Sequence, residues 1–568
     1  MNRFDRTFWR WLWSLVLLYW RSAQRRYGIM LLASVAVLAG VGLAIGAYAT
    51  YLSRDITDAL IGKHLAEFYR VMLLAAGAAA VGMLARVFQQ YLGGILYIEW
   101  REWLTHYFVD QGFAHRAFYR MGLSRKVDNP DQRISDDLGS FVEATETFTI
   151  KLVFAIGGVV TYFAIIWSIS SAMALFLIAY ATVGTYFSAV IGRRLVGLNY
   201  YQERFQADFR FGLVHVRNNV EPIFIYRGER HETDQLQHRF AKVVSNFRQL
   251  ILWKRNLGFF TESYRDLARL IPFWFLAAGY VAGRLEFGQV AQAAAAFASL
   301  HAALSIVVTS FPMLANYANL VVRLSEFLEE AEAARTFETG GRQMIEINEA
   351  PQVGLEHLTV LTPGGDKTLI RDLSADVSGL EPLLVQGPSG TGKTSLMRAL
   401  AGIWREGGGK VNRPALSDVM FLPQRPYLIL GSLRDQLTYP RAPGASDQQL
   451  REILKAVNLS DLPERFGGLG VETLWADVLS PGEQQRLAFA RLLLNHPRYA
   501  FLDEATSALD VPNEQLMYEL LRRKRIRFMS SGHRPTLLKF HRNTLQLSPQ
   551  QTWKLERSSE FEALTSAA

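Results

Sequence analysis

The sequence predicts an α-helical membrane domain followed by a soluble α/β domain, and three observations carry this prediction. Long uncharged apolar runs fill roughly the first 320 residues, whereas the remainder has the composition of a soluble domain. From residue 353 onwards, short apolar runs alternate with turns and helix-like stretches, as is typical of an α/β domain. A glycine-rich segment then lies between a strand-like run and a helix-like run, at residues 387–394.

Changes in composition divide the 568 residues into four predicted segments. They are an amphipathic interfacial segment at 1–27, a transmembrane domain at 28–330, a linker at 331–352 and the α/β domain at 353–568. The first segment mixes arginines with tryptophans, which favours a helix at a membrane surface over a disordered basic tail. It has no short apolar stretch with a small-residue cleavage site, so we expect no cleaved signal peptide. The linker is charged and contains Gly340 and Gly341.

The formal net charge of +9 bears on the partners of the chain. Much of the basic excess lies beside apolar runs, which indicates orientation in a lipid bilayer and no nucleic-acid partner. The sequence contains no cysteine, so disulfides and cysteine metal sites are excluded.

Six membrane-spanning helices are predicted. Residues 28–51 contain no charged residue and, at about 1.5 Å per residue, can cross a hydrocarbon core about 30 Å thick. The other five predicted spans are 68–97, 152–167, 172–191, 270–282 and 290–314. Arginines and lysines crowd before the first span and after the second and fourth, so we expect both termini in the cytoplasm. Helical periodicity at 200–210 predicts that the spanning helices continue well beyond the bilayer.

Polar residues within the predicted spans are candidates for a solute cavity, because such groups in hydrocarbon usually face a protein interior. The candidates are Arg86, His301, Asn316 and Asn319, with Trp274 and Tyr280 as aromatic neighbours. The competing interpretations are a snorkelling arginine, interhelical hydrogen bonds of the asparagines and a structural role for the histidine.

Residues 387–394 predict a phosphate cradle at the start of a helix. The segment reads Gly387, Pro388, Ser389, Gly390, Thr391, Gly392, Lys393 and Thr394. Glycines allow the tight turn that points successive N–H groups at one phosphate, and the helix N-terminus adds partial positive charge. Lys393 would then reach the outer phosphates, and the Thr394 hydroxyl would bind Mg²⁺. The alternative is a glycine-rich turn without a ligand, and the downstream motifs argue against it.

Two downstream motifs extend the predicted site. Ser480 and Glu483 form a capping-box pattern, so a helix should begin there, with Ser480 and the Gly482 amide aimed at an anion. An ordinary capped helix would be the better interpretation if no second phosphate-handling element followed. One does follow, because a strand-like run ends at Asp503 and Glu504. Asp503 would hold Mg²⁺, and Glu504 would act as general base on the attacking water.

Gln424 and His533 complete the predicted site, because each follows a strand-like run. Gln424 would bind Mg²⁺ and sense the γ-phosphate, which His533 would contact. Either residue alone would be an ordinary surface or structural side chain. Their common order with the cradle and the acids indicates ATP hydrolysis.

On these residues the chain resembles the ATP-binding cassette (ABC) transporter family. Residues 387–394 match the Walker A loop, 479–483 the signature and 507–510 the D-loop, which adds Asp510 to the nucleotide-binding residues. Gln424 matches the Q-loop, Asp503 the Walker B acid, Glu504 the catalytic glutamate and His533 the switch histidine. The resemblance implies an exporter-type six-helix membrane fold joined to a P-loop nucleotide-binding domain, with ATP and Mg²⁺ as cofactors.

The resemblance also implies a homodimer, in which Ser480 and Gly482 of one cassette meet ATP held by the other. Two features depart from the family pattern. The signature has Pro481 and Glu483 where glycine and glutamine are usual, and the capping-box geometry tolerates both. Residues 360–363 contain no tyrosine to stack on adenine, which leaves the adenine contact open.

Residues 100–105 and 128–134, supported by 287–289, 362–365 and 475–479, are similar to one branch of the family. It joins the bacterial SbmA/BacA-type peptide transporters to the subfamily D transporters of fatty acyl-CoA. The resemblance implies ATP-driven uptake of bulky hydrophilic solutes, such as peptides or cobalamin, across a bacterial inner membrane. We expect the turns near 128–134 and 221–229 to couple the two domains.

Three alternatives to this function stay open. The first is an acyl-CoA or lipid transporter, or an exporter. The second is an ATP-gated channel or sensor, which would only equilibrate its solute. The third is a soluble ABC protein, against which the uncharged residues 28–51 argue.

Overall fold

The computed structural model describes residues 6–124, 126–304, 306–339, 344–363, 365–376, 382–440 and 444–558. The chain divides into two compact units, Met1–Thr336 and Phe337–Ala568, which we describe separately. Gly340 and Gly341 of the predicted linker lie outside the described residues. Within 331–352, the described residues contain the end of a long helix and one short strand, so the linker boundaries stay a prediction.

The first unit is helical throughout its regular structure. Its helices are α1 Arg6–Trp20, α2 Arg25–Ile61, α3 Leu65–Phe113, α4 Ala117–Ser124, α5 Pro130–Gln132, α6 Leu138–Ile169, α7 Ser171–Asn218, α8 Val220–Ile225, α9 Glu229–Val281, α10 Phe287–Leu304 and α11 Ile306–Thr339. A 3₁₀ turn at Ala114–Arg116 precedes α4, and a π-helical turn at Arg133–Asp137 joins α5 to α6. Helices α7 and α9 both continue far into polar sequence, as the predicted extension of the spans requires, and their extension beyond the bilayer stays a prediction.

Four described helical segments are long and apolar enough to cross a membrane. They are Arg25–Ile61, Leu65–Ser124, Pro130–Ile169 and Ser171–Ser188. These segments contain most or all of the first four predicted spans. The fifth predicted span, 270–282, coincides with the end of α9, and the sixth, 290–314, covers most of α10 and the start of α11. Neither of these two is among the four segments named above, so the count of six stays a prediction for its last two members.

The N-terminal segment forms the ordered helix α1. Its residues Phe8, Leu15 and Tyr19 are buried, and Tyr19 stacks on Trp100 of α3 with ring centroids 5.6 Å apart. On another face, Trp9 is 49% exposed. A helix with one apolar face packed and tryptophan on another suits a membrane surface, and that location stays a prediction.

The second unit contains ten strands and seven α-helices within the described residues. The strands are β1 Glu346–Glu349, β2 Gly354–Leu361, β3 Thr368–Asp376, β4 Leu383–Gln386, β5 Gly407–Arg413, β6 Val419–Leu422, β7 Tyr499–Asp503, β8 Arg527–Ser531, β9 Asn543–Leu547 and β10 Trp553–Arg557. The helices are α12 Lys393–Ala401, α13 Leu433–Thr438, α14 Asp447–Ala456, α15 Leu462–Phe466, α16 Trp475–Val478, α17 Pro481–Asn495 and α18 Val511–Arg523. The predicted combination of a helical domain with an α/β domain is confirmed.

Two sheets organise the second unit. A four-stranded sheet has the order β1-β5-β2-β3, and a six-stranded sheet has the order β10-β9-β4-β8-β7-β6. In the larger sheet every pairing is parallel except β10 with β9. All five residues of β7 are buried, as expected of a central parallel strand covered on both faces. Because parallel strands end at one edge, β4, β6, β7 and β8 deliver their C-terminal residues to a single crevice.

Candidate functional site

The glycine-rich loop runs from the end of β4 to the start of α12. Its glycines adopt backbone conformations that side chains rarely tolerate, with φ of 148° at Gly387, 83° at Gly390 and 96° at Gly392. A Cβ on Gly387 would lie 2.4 Å from the backbone oxygen of Leu547. The glycines are therefore required by the turn itself, and the predicted order of strand, loop and helix is confirmed.

The Lys393 side chain folds back onto the first residues of the glycine-rich loop. Its ammonium donates to the backbone oxygens of Gly387, at 2.9 Å, and Pro388, at 3.0 Å. Burial lowers the pKa of Lys393 below its usual value, while the carboxylates of Glu504 and Asp503 act in the opposite direction. The cation is thus partly desolvated and held against the glycine-rich loop at the start of α12, an arrangement suited to a phosphate.

Asp503 stands at the end of β7 among hydroxyl groups. The Thr394 hydroxyl donates to its Oδ1 at 3.3 Å, and the Ser531 hydroxyl donates to the same oxygen at 2.6 Å. A carboxylate and a threonine hydroxyl at hydrogen-bonding distance are hard oxygen ligands of the kind that Mg²⁺ prefers. The donor set at Thr394 and Asp503 therefore fits this metal.

Glu504 lies between two of the predicted site residues. Its Oε2 accepts from the Gln424 side-chain amide at 2.8 Å, and its Oε1 lies 3.3 Å from Nε2 of His533. The backbone of Glu504 has φ of 47°, and its N–H donates to both the backbone oxygen and the hydroxyl of Ser531. Non-glycine residues with positive φ are uncommon and concentrate at functional sites. This turn carries the carboxylate away from β7 to the two side chains.

The second anion site is built on α17. Ser480 is its N-cap, accepting from the Glu483 N–H at 3.3 Å, while Oε2 of Glu483 accepts from the Ser480 N–H at 2.8 Å, so the predicted capping box is confirmed. Arg465 pairs with Glu483 at 2.8 Å. Burial alone would raise the pKa of Glu483, but hydrogen bonds from Arg465 and Ser480 lower it overall. Within the described residues, no hydrogen bond or ion pair joins Ser480 or Gly482 to the cradle.

Asp510 has a structural contact in this chain. Its side chain caps α18 by accepting from the N–H of Asn513 at 3.1 Å. The preceding D-loop is held by Arg534, which donates to the backbone oxygens of Ser507, at 2.8 Å, and Leu509, at 2.6 Å. The nucleotide contact predicted for Asp510 stays a prediction.

Two further residues of the site, Gln485 and Ser531, lie outside the motifs that predicted it. Gln485 donates to the backbone oxygen of Gln424 at 3.2 Å and accepts from the Ala508 N–H at 2.9 Å, so it ties the Q-loop to the D-loop. Ser531 binds both acids. Ser531 could have been identified as a polar residue at the C-terminal end of a buried parallel strand. The sequence around Gln485 contains no comparable signal.

The cavity candidates of the membrane unit are scattered. Arg86 lines a groove between α3 and α6. The His301 ring lies 4.9 Å from that of Tyr264, and its Nε2 is buried without a hydrogen-bond partner. Asn316 and Asn319 are exposed, Trp274 is 85% exposed, and Tyr280 packs edge-on against Phe287. Within one chain, the structure does not gather the six candidates at one cavity.

A phosphate cradle, two adjacent acids and a capped helix on an α/β domain, joined to apolar helices, define a nucleotide-hydrolysing membrane protein. The family described as ABC transporter transmembrane region 2 matches residues 17–279, and the family described as ABC transporter matches residues 370–507. The chain belongs to the ABC transporter family. It is a half-transporter with one membrane domain and one ATP-binding cassette, and an ATPase coupled to transport.

Relatives from bacteria, plants and animals match nearly the whole chain. An uncharacterised ABC transporter ATP-binding protein of Synechocystis is 41% identical, over 93% of this chain and 80% of the relative. The chloroplastic ABC transporter D family member 2 of Arabidopsis thaliana is 35% identical, over 97% and 88%. The lysosomal cobalamin transporter of Mus musculus is 32% identical, over 87% of each chain. The predicted relation to the D subfamily is confirmed.

Proposed function

We propose that two copies of this chain form a homodimer that uses ATP hydrolysis to take up bulky hydrophilic solutes, such as peptides or cobalamin. The observation that carries the hydrolytic part is the placement of Glu504 between Gln424 and His533, beside the Asp503–Thr394 pair. The solute class rests on relatives, one of which bears the name of a cobalamin transporter. We place the homodimer in a bacterial inner membrane with both termini in the cytoplasm.

Two features of the single chain support the homodimer. Ser480 and Gly482 begin a helix suited to an anion, yet within the described residues they contact neighbouring protein groups and not the cradle. In the membrane unit, the short helix α8 and the residue after it expose Phe224 by 60%, Ile225 by 69% and Tyr226 by 84%. Contiguous exposed apolar side chains mark an interaction surface. A second copy would complete the ATP site and cover this surface.

The side chains and backbone groups of the site have separate roles in hydrolysis. Lys393 and the loop N–H groups bind the phosphates, and the α12 N-terminus adds favourable charge. Thr394 and Asp503 would hold Mg²⁺, with Gln424 nearby; when bound, this ion neutralises negative charge on the phosphates. Glu504 accepts the proton of the attacking water, while Gln424 and His533 fix the direction of its carboxylate.

The hydrolytic assignment is tested by Glu504→Gln in lipid nanodiscs. The amide keeps the shape and can still contact Gln424 or His533, but it cannot accept the proton. We expect ATP to bind with near wild-type affinity while turnover falls by about 10²-fold or more. Wild-type turnover in this variant would remove Glu504 from the role of base. Chelation of Mg²⁺ should abolish turnover of the unmodified protein as well.

The transport assignment is tested in proteoliposomes. ATPase activity is measured against a cationic peptide, cobalamin and a long-chain acyl-CoA, with Glu504→Gln as the blank. Stimulation by peptide or cobalamin, followed by ATP-dependent accumulation against a gradient, supports uptake. Stimulation by acyl-CoA alone would assign the chain to lipid handling. Equilibration without accumulation would identify an ATP-gated channel, because a channel cannot move its solute uphill.

A further inference from the structure

A groove of about 710 Å³ lies between α3 and α6. One side is lined by residues of α3 spaced three or four apart, namely Arg86, Gln89, Gln90, Gly93, Gly94 and Tyr97. The other side is lined by one face of α6, namely Glu143, Glu146, Thr147, Ile150, Lys151 and Phe154. Residues at these spacings share one face of a helix, so two helix faces that carry polar and charged side chains oppose each other across the groove.

The groove contains four charged side chains of both signs. Arg86 and Lys151 are cationic, Glu143 and Glu146 are anionic, and no ion pair involving any of them is found within the described residues. Both helices belong to segments able to cross a membrane, and Arg86 interrupts the apolar stretch of α3. Arg86 lies within the second predicted span, where an ionisable group is costly and marks a solute or ion pathway, whereas Glu143, Glu146 and Lys151 lie just before the third predicted span, 152–167. Four charges of both signs that line one groove without an ion pair among them therefore suit a ligand that carries charges of both signs.

Glycines create the space in this groove. A Cβ on Gly93 would lie 2.5 Å from Oε1 of Glu146, so glycine allows this carboxylate to approach the backbone of α3. A Cβ on Gly94 would meet nothing within 4 Å, because the position faces open space. The volume falls in the range of about 300–1,000 Å³ that small-ligand sites occupy.

We propose that the groove between α3 and α6 binds a zwitterionic solute, with the glutamates facing its cationic group and Arg86 and Lys151 its anionic group. The formal charges of the four side chains sum to zero. This balance favours a solute that carries both a positive and a negative charge over a polyanion such as acyl-CoA. A short peptide carrying both charges meets this requirement. The inference names the solute class of the transporter proposed above and rests on that function.

The test is direct binding to the full-length protein in nanodiscs without ATP. The probe is a tritiated tetrapeptide, Lys-Ala-Ala-Glu with blocked termini, compared with analogues in which Gln replaces either charged residue. We expect the doubly charged peptide to bind about tenfold more tightly than either analogue. Failure of the unmodified protein to bind it, or tighter binding of a long-chain acyl-CoA, would overturn the inference.

Variants assign the binding to the groove. Gly94→Leu fills the open space and should abolish binding, whereas Gly77→Leu is the matched control. Gly77 lies on the same helix, does not line the groove, and also has nothing within 4 Å of an added Cβ. Glu146→Gln should remove the preference for the Lys-containing peptides, and Lys151→Gln the preference for the Glu-containing ones. Equal binding by Gly94→Leu and Gly77→Leu would contradict the proposal.

Uphill uptake separates this inference from the function on which it rests. If ATP drives uptake of cobalamin but the groove binds no peptide, the groove proposal is refuted and the transport function stands. Specific peptide binding without ATP-driven uptake would refute the transport assignment and leave the groove as a binding site.

Discussion

Ser531 donates its hydroxyl proton to Oδ1 of Asp503 across 2.6 Å, and the same hydroxyl accepts the backbone N–H of Glu504 at 3.1 Å. One side chain at the end of β8 thus contacts both acids at the end of β7. Because β7 and β8 are paired with Asp503 opposite Ser531, this contact follows directly from the strand register. Ser531 is therefore a positioning residue, which acts through Asp503 and Glu504.

We expect Ser531→Ala to lower ATP turnover by about tenfold or more. A hydrogen bond to a charged group contributes about 1.5–3 kcal/mol, and each 1.4 kcal/mol corresponds to a factor of about ten in rate. Turnover and ATP affinity are measured separately, because a loss confined to turnover fits misplacement of Glu504. The control is Ser548→Ala, whose hydroxyl contacts Thr552 at an exposed turn. Wild-type turnover in Ser531→Ala would exclude the positioning role.

The parts of this site that could be predicted from the sequence are those whose motifs lie within a few neighbouring residues. The glycines of the cradle and the box of Ser480 and Glu483 each lie within a few residues, so backbone rules identify them. The contact of Gln424 with Glu504 joins residues 80 positions apart. This contact depends on β6 lying beside β7, and the hydrophobic periodicity of the sequence does not predict the order of strands in a sheet. Gln485 could not be predicted for the same reason, because it contacts two loops that are distant in sequence, at Gln424 and Ala508.

The membrane unit shows the same division between local and distant information. The uncharged residues 28–51 predicted α2 directly, because hydropathy alone identifies such a segment. The fifth span was harder, since the apolar end of α9 follows a long polar helix and contains Pro272 in its interior. The groove glycine Gly93 could not be recognised either, because its neighbour Glu146 lies on another helix.

We predict that stability falls with acidification between about pH 6.5 and pH 4 because of His541. This fully buried ring accepts from the Ser530 hydroxyl and donates to the backbone oxygen of Leu537, and burial lowers its pKa to about 4. The unfolded chain, with a pKa near 6.5, takes up the proton first, so stability present above that pH is lost as pH falls towards 4. The full effect is on the order of 3 kcal/mol.

Thermal unfolding across this pH range checks the prediction. His541→Gln should have a lower melting temperature at pH 7 and a flatter dependence on pH than the unmodified protein. The control is His496→Asn, which replaces an exposed histidine with a residue that tolerates its left-handed backbone conformation, φ 45°. An unchanged slope in His541→Gln would show that another group dominates the acid response.

Glu483→Gln restores the residue usual at this position of the signature and tests the pair with Arg465. Glutamine can still accept the Ser480 N–H, but it loses the charge that Arg465 faces at 2.8 Å. Because the folded state lowers the pKa of Glu483, its contribution is present above the unfolded pKa of about 4.3 and is lost as pH falls through the lower folded value. We expect a loss below about 1 kcal/mol at pH 7, since the arginine is largely solvated.

The decisive comparison is Glu483→Gln with Arg465→Gln and the double variant, measured by thermal unfolding at pH 7 and in acid. If the two groups act as a pair, the losses at pH 7 are not additive, and the differences from the unmodified protein shrink together in acid. Gln484→Ala serves as a neighbouring control on α17, since its amide donates to the backbone oxygens of Ala476 and Leu479 and, within the described residues, has no ion pair to lose. Additive losses that persist in acid would mean that Glu483 acts through its cap on Ser480 alone.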